Sequence, residues 1–223
     1  MSTVTQEGSR RKRLPTAERQ QEVIAVVLEL ARTSSPEGIT TQAIADRVGI
    51  TQGALFKHFP DKQALWIAVF DWVQEQLGAA IRQGLQGEGD ALARLQRVFL
   101  AHVGFVAHHP GAPRILFYEL QRPTDSPFQA RARDMMGAYR QRLCALFEEA
   151  SRSGQLSPTL DVKMAALLLI GTIQGLVMQS ALFRNEAEML AAAKRIFPLL
   201  LDGFRGHAAN PVAQSLSENH EPA

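Results

Sequence analysis

Apolar residues recur at spacings of three and four along most of the chain, and no stretch alternates convincingly between apolar and polar positions. This spacing places apolar side chains on one face of a helix, whereas a half-buried strand requires alternation. The pattern therefore predicts an all-α protein of about nine helices. The first helix begins near Thr16, carries Val23, Val27 and Ala31 on its apolar face, and ends at the breaker residues 34–38.

Capping and breaking residues divide the rest of the chain. Two short helices are expected at residues 41–47 and 51–58, and a longer one from Asp61 to about residue 82, before a loop at 84–89. Further helices are expected from Asp90, over residues 114–121, from the turn at 123–127 to Gly154, from Asp161 to about 183, and over 186–205 with a kink at Pro198. The last segment, 207–223, lacks periodicity and is predicted to be a disordered tail.

The two short helices have the pattern of a helix-turn-helix. Ile44, Val48, Ile50 and Leu55 form one apolar set that holds the two helices against a third. Gly49 lies between them, where a tight interhelical turn requires a positive φ. Such a motif presents its second helix to the major groove of DNA.

The polar side of the second helix predicts the contacts with DNA. Small residues at Gly53 and Ala54 allow a close approach, and Gln52 suits an adenine edge. Lysine and histidine side chains suit phosphates. The candidate DNA-binding residues are Thr41, Thr51, Gln52, Gly53, Ala54, Lys57, His58 and Lys62. By itself, this pattern also fits an ordinary pair of packed helices.

The distribution of charge agrees with a nucleic-acid contact near the start of the chain. The net charge is +2, and residues 1–62 carry nine basic and seven acidic side chains, which accounts for the whole excess. Four consecutive basic residues at positions 10–13 suit DNA phosphates, and equally suit a solvated tail. The single cysteine, Cys144, excludes an internal disulfide and is interpreted as a core residue.

The segment that contains the two short helices resembles a known family. Its Ile44-Ala45, its Val48-Gly49-Ile50-Thr51 run, the stretch from Gly53 to Phe59, and the later Lys62 and Leu65 resemble the N-terminal signature of the TetR (tetracycline-repressor) family. The resemblance is close over residues 16–68 and covers only the plan of helices beyond. Phe56 departs from it, because the family commonly has a tyrosine whose hydroxyl meets a phosphate. Phe56 is therefore interpreted as a packing residue.

The resemblance implies a domain organisation and a dimer. A flexible basic arm (1–15) would precede a helix-turn-helix domain (16–62), a ligand-binding and dimerisation domain (63–206) and the disordered tail (207–223). The last two long helices would pair with those of a second copy. The candidate interface residues are Gly171, Gly175, Leu200 and Phe204, because the 164–178 segment is apolar nearly all round and its two glycines permit close approach. Burial within one subunit is the alternative.

The resemblance also implies a ligand pocket among the middle helices. The candidates are Phe105, Phe117, Tyr118, Tyr139, Gln174 and Met178, with core packing as the alternative for each. Gln174 is the sharpest candidate, because a buried amide needs a partner. Ligand binding would shift the helix that follows the recognition helix. A metal site is considered at His102, His108, His109 and Glu119. The spacing of about two helical turns between His102 and His109 argues against one ion bound by both.

These observations predict a cytoplasmic, ligand-responsive repressor that binds a palindromic operator as a homodimer, releases it on binding a hydrophobic or amphipathic effector, and needs no cofactor. No signal peptide is visible, and the longest apolar run, at 165–178, is interrupted and is read as too short for a membrane span. A DNA-binding architectural protein without a sensor is one alternative. An all-helical enzyme is another, although no catalytic motif was found.

Overall fold

A computed structural model describes residues 15–122 and 126–206 of the chain. Within these ranges the protein is built from nine α-helices and one 3₁₀ turn, Pro36–Gly38, and contains no strand. The helices are α1 (Thr16–Thr33), α2 (Thr41–Val48), α3 (Gln52–His58), α4 (Lys62–Gln86), α5 (Ala91–His108), α6 (Gly111–Leu120), α7 (Pro127–Arg152), α8 (Val162–Phe183) and α9 (Glu186–Arg205). This confirms the predicted all-α class. The basic arm to residue 14 and the tail from 207 lie outside the described residues.

One helix, α4, is longer than its sequence pattern predicts. α4 continues to Gln86, through part of the expected loop, because Arg97 of α5 donates to the carbonyls of Gly84, Gly87 and Glu88 and so caps its end. α9 has the bounds that its pattern predicts, and the helix continues through Pro198.

The start of α6 is also earlier than expected, at Gly111 instead of Arg114. Gly111 packs directly on α1, where a Cβ atom would come within 2.1 Å of the Leu28 carbonyl oxygen. Only glycine permits this approach. The close contact joins the first helix of the chain to the body of the protein.

The described residues form two apolar cores, and the boundary between the cores differs from the predicted domain boundary between residues 62 and 63. The first core is formed by the four helices α1, α2, α3 and α4, and it includes Ile115 of α6 and Phe128 of α7. The second lies among α4, α5, α7, α8 and α9 around the fully buried rings of Phe99, Phe147 and Phe197. The helices that carry the DNA-binding candidates therefore share a core with α6 and α7.

The helix α8 is 22 residues long and has a mean hydropathy of 1.7 over its most apolar stretch. By length and composition alone it could cross a membrane, although the interrupted run at 165–178 within it was predicted to be too short for a span. About 28% of that stretch is buried within the chain. Its inner side packs against α7 and α9, and its outer side is exposed.

Candidate functional site

The turn between α2 and α3 is fixed by local hydrogen bonds. Thr40 caps α2 by accepting from the Ala43 amide at 3.0 Å, and Thr51 caps α3 by accepting from the Ala54 amide at 3.1 Å. Gly49 has φ 76°, the left-handed conformation predicted for it, and its amide donates to the carbonyls at the end of α2. The α2–α3 pair is thus the helix-turn-helix that the sequence predicted.

The outer side of this pair, the α2–α3 surface, is defined by half-buried Thr41 and Gln52 and by exposed Gly53, Phe56 and Lys57. The Gln52 amide donates to the Thr41 hydroxyl at 2.7 Å, which holds these two DNA-binding candidates together. Gly53 has open space where a side chain would project, so DNA can approach the helix backbone. Lys57 is exposed and free to extend. The interpretation of Phe56 as a packing residue is wrong, because its side chain is 40% exposed beside them.

Two other DNA-binding candidates, His58 and Lys62, lie closer to the protein interior. The Nδ1 atom of His58 is buried and has no hydrogen-bond partner among the described residues. Lys62 donates to the Glu37 carbonyl oxygen at 3.3 Å, and its ammonium group lies 5.5 Å from the centre of the Trp66 ring. Burial lowers the pKa of Lys62, and the nearby carboxylates of Glu119 and Glu37 partly oppose that shift. Lys62 therefore joins α4 to the 3₁₀ turn in the DNA-free protein.

An apolar cavity of about 220 Å³ lies within the body, enclosed by α4, α5, α6, α7 and α8. Four of the six predicted ligand-binding residues line it: Phe105, Phe117, Tyr139 and Gln174. Gln174 is exposed, so the expectation of a buried amide was wrong. Tyr118 and Met178 line a neighbouring depression of about 700 Å³ between the end of α1, α6 and α8, to which Phe117 also contributes.

The polar centre of the cavity is a buried pair. The Nδ1 atom of His102 lies 3.2 Å from the hydroxyl oxygen of Tyr139, and the two rings meet edge to face. Burial lowers the pKa of His102 to about 4 and raises the pKa of Tyr139. Both side chains are therefore uncharged at neutral pH. The pair can exchange hydrogen bonds with a ligand without presenting a charge to it.

Several cavity residues were not identified from the sequence. Gln74, Gly78 and Arg82 of α4 line it at four-residue intervals, and Arg142 of α7 lines it one turn after Tyr139. Four-residue spacing on α4 could have indicated that these three residues share one face. Nothing in the sequence indicated that this face borders a cavity, because the opposite wall is more than fifty residues away.

The face formed by α8 and α9 is the candidate dimer interface. Leu167, Leu168, Leu182 and Phe183 of α8 and Leu199 of α9 are more than half exposed, which is unusual for large apolar side chains in a single chain. At Gly171 and Gly175, a Cβ atom would meet nothing within 4 Å in this chain. Leu200 is half-buried against the second core. Phe204 is buried against Phe147 within its own chain, so the prediction that it lies at the interface is wrong.

The four residues considered for a metal are engaged elsewhere. His102 bonds Tyr139, His108 bonds the Gly104 carbonyl oxygen at 2.6 Å, and His109 packs against the Trp72 ring. Glu119 is buried and pairs with Arg122 at 3.3 Å. Among residues 15–122 and 126–206, no cluster of three or more His, Cys, Asp or Glu side chains is arranged to hold an ion.

Comparison with known families matches both parts of the chain. Residues 24–69 match the family described as bacterial regulatory proteins, tetR family, and residues 119–196 match the tetracyclin repressor-like C-terminal domain. The first match contains α2, α3 and the capping residues between them, and the second contains α7 and α8. The chain belongs to the TetR family.

Individual relatives of this TetR-family protein are distant in sequence. The nucleoid occlusion factor SlmA of Marinomonas sp. is 25% identical over 158 residues, which are 71% of this chain and 80% of that protein. The ketosteroid transcriptional regulator KstR2 of Mycobacterium tuberculosis superposes with a TM-score of 0.72 at 21% identity, over 85% of this chain and 96% of its own. The fatty acid degradation regulator FadR of Bacillus halodurans superposes with a TM-score of 0.72 at 19% identity. The superposition covers 88% of this chain and 100% of that protein.

Membership of the TetR family defines the protein as a DNA-binding regulator with an N-terminal helix-turn-helix and a C-terminal helical domain. Regulators of this family bind DNA, act as dimers and respond to small molecules. The matched families are regulatory families and not families of enzymes.

Proposed function

We propose that this protein is a repressor that binds a palindromic operator as a homodimer and releases it when a small apolar or amphipathic effector fills the cavity. The observation that carries the proposal is the position of α4. Its first residue, Lys62, lies within four residues of the end of α3, while Gln74, Gly78 and Arg82 further along the same helix line the cavity. One rigid helix thus borders both the DNA-binding element and the ligand site.

Two copies joined through α8 and α9 would place two α3 helices on one side of the dimer. A symmetric dimer recognises a symmetric site, and the spacing of its half-sites reports the distance between the two helices. A ligand that displaces α4 would change that distance and lower the affinity for the operator. Acting on the chromosome, such a dimer would work in the cytoplasm.

The experiment is selection of bound fragments from random DNA by the full-length protein, followed by sequencing. We expect a palindrome whose half-site centres are about one helical turn apart, roughly 34–36 Å, or a multiple of it. The selected DNA would also locate candidate operators in the genome, and the neighbouring genes would suggest the effector. Selection of unrelated sequences without symmetry would contradict the proposal.

The curated relatives support a second candidate function. SlmA is named a nucleoid occlusion factor, and it matches this chain over most of both lengths. This corresponds to the alternative of a DNA-binding protein that acts on the chromosome as a whole, without a ligand. The apolar cavity, with its buried His102–Tyr139 pair, favours the ligand-responsive regulator.

A map of the protein's binding sites across the chromosome separates the two candidates. A repressor is expected to occupy a few sites next to the genes it controls. A factor acting on the whole nucleoid is expected to occupy many dispersed sites, without enrichment at promoters. The second distribution, together with the absence of any stabilising small molecule in a thermal-shift screen, would favour nucleoid occlusion.

A further inference from the structure

The cavity is closed by apolar side chains over most of its wall and opens to solvent at five exposed residues. Gln74 and Arg82 come from α4, Ala138 and Arg142 from α7, and Gln174 from α8. Among the described residues that line the cavity, Arg82 and Arg142 are the two permanently charged ones, and neither aspartate nor glutamate occurs. The permanently charged side chains that line the cavity are therefore both positive.

The two arginines lie at the same level of the fold. The helices α4 and α7 both pack antiparallel to α5, so they run in the same direction. An ion pair between Asp71 and Arg131 joins them. Arg82 and Arg142 each follow that pair by eleven residues, which is about three helical turns, or 16 Å. This register brings Arg82 and Arg142 to the same end of the opening.

Neither guanidinium group has a partner within the described part of the chain: no hydrogen bond or ion pair joins Arg82 or Arg142 to another side chain or to the backbone. Glu75 and Asp134 border the shallow depression beside Arg82 but lie beyond ion-pair distance from it. The Arg82 guanidinium folds back along α4 over Gly78, where a Cβ atom would come within 3.2 Å of it. Gly78 itself lines the cavity, so this charge lies over the cavity wall.

We propose that the effector is an amphipathic acid, with an apolar chain or ring system in the cavity and one carboxylate or phosphate group between Arg82 and Arg142. The inference rests on the proposed function, because it takes this cavity as the effector site. Arginine binds both acidic groups through paired, charge-assisted hydrogen bonds. The cavity volume is below the range usual for drug-sized ligands, which favours a chain of medium length.

The test compares head groups on one ten-carbon chain. Binding of decanoate, decyl phosphate, 1-decanol and decylamine to the full-length protein is measured by isothermal titration calorimetry at pH 7.5. We expect at least one of the two acids to bind about tenfold or more tightly than the alcohol, and the amine to bind most weakly. The acid that binds more tightly shows whether the site prefers a carboxylate or a phosphate group. Equal affinities for the acids and the alcohol would overturn the proposal.

Variants assign the effect to the two arginines. The double variant R82Q/R142Q should lose about tenfold or more in affinity for the acid while its affinity for 1-decanol stays unchanged, and the alcohol therefore also reports an intact cavity. The matched control is Arg140→Gln, an exposed arginine on the same helix that does not line the cavity. A double variant that binds the acid as the original protein does would overturn the proposal.

The same samples are tested for binding to the selected operator without ligand. If the operator is bound and the acids are not, the ligand class is wrong and the proposed function stands. If specific DNA binding is absent while the acids bind, the proposed function fails and the ligand class stands. The two failures are thus distinguishable.

Discussion

The α2–α3 surface and the cavity differ in how far apart their residues lie along the chain. The DNA-binding candidates all lie within residues 41–62, whereas the cavity is lined by residues between 69 and 177 from five helices. The conformation of the first depends on two threonine caps and Gly49, which act over three or four residues. The cavity exists only after the five helices that line it have packed together. A substitution on the α2–α3 surface should therefore change only local contacts with DNA. A substitution in the rest of the protein should act through the packing of helices or subunits.

The largest effect is expected from Gly175→Leu, which tests assembly between subunits. The added side chain meets nothing in its own chain and should be accommodated by the monomer, but it would project into the proposed interface, once from each subunit. We expect dissociation of the dimer. Operator affinity should fall 100-fold or more, because one subunit loses the benefit of a linked second site.

Sedimentation at several concentrations checks the oligomeric state, and circular dichroism checks the fold. Gly137→Leu, at another helical glycine with open space but on α7, is the matched control. A Gly175→Leu protein that remains dimeric and still binds its operator would remove this part of α8 from the interface.

A pH effect of up to about 3 kcal/mol is expected from the buried pair in the cavity. Because burial lowers the pKa of His102 from 6.5 to about 4, the unfolded chain takes up a proton at a higher pH than the folded protein does. The contribution to stability is complete above pH 6.5 and is lost as the pH falls towards 4. His102→Gln should flatten this dependence in urea unfolding experiments. The exposed His108→Gln is the control, and an unchanged pH profile in His102→Gln would argue against a buried, neutral His102.

Gln52→Ala tests whether the α2–α3 surface reads bases. We expect a loss of about 1–3 kcal/mol in binding to the operator and little change in binding to unrelated DNA. The stability of the protein should fall by only about 1 kcal/mol, because the variant loses a single half-buried hydrogen bond, the one to Thr41. Fluorescence anisotropy with both kinds of DNA measures the difference. A parallel loss on both DNAs would mean that Gln52 is not a base-contacting residue.

The smallest effect is expected in the salt dependence of DNA binding. The exposed Lys57 is the better phosphate contact, so Lys57→Ala should reduce the slope of log affinity against log salt by about one unit. Lys62 is already bonded to Glu37, so Lys62→Ala should weaken the junction of α4 with the 3₁₀ turn and leave the slope nearly unchanged. If Lys62→Ala reduces the slope instead, the ammonium group leaves Glu37 when DNA binds.

The α2–α3 pair could be predicted nearly residue by residue, because its determinants lie close together in sequence. The bounds of α2 and α3 agree with the pattern to within one residue, and the positive φ of Gly49 follows from the turn it makes. Phe56 was the exception. Its apolar character indicated burial, but the short helix α3 leaves that side chain on the outer surface.

The cavity could be predicted only in part. Aromatic residues on the middle helices indicated four of its lining residues, yet Arg82 and Arg142 were missed because charged residues on a helix ordinarily face solvent. Their common place on the cavity wall depends on the parallel packing of α4 and α7, which no local pattern encodes. Periodicity likewise cannot distinguish a side chain buried within one subunit from one buried between two, and Phe204 was misassigned for that reason.

The close approach of Gly111 to the Leu28 carbonyl has a consequence for protein engineering. Chimeric biosensors are commonly conceived by exchanging a sensing module at the boundary suggested by sequence, here near residue 62. In this protein such a graft would cut through a shared core and would have to recreate a contact that any other residue at position 111 would block. A chimera is better planned by transferring α1 together with α6 and the first two turns of α7, so that the boundary of the graft runs between the two cores.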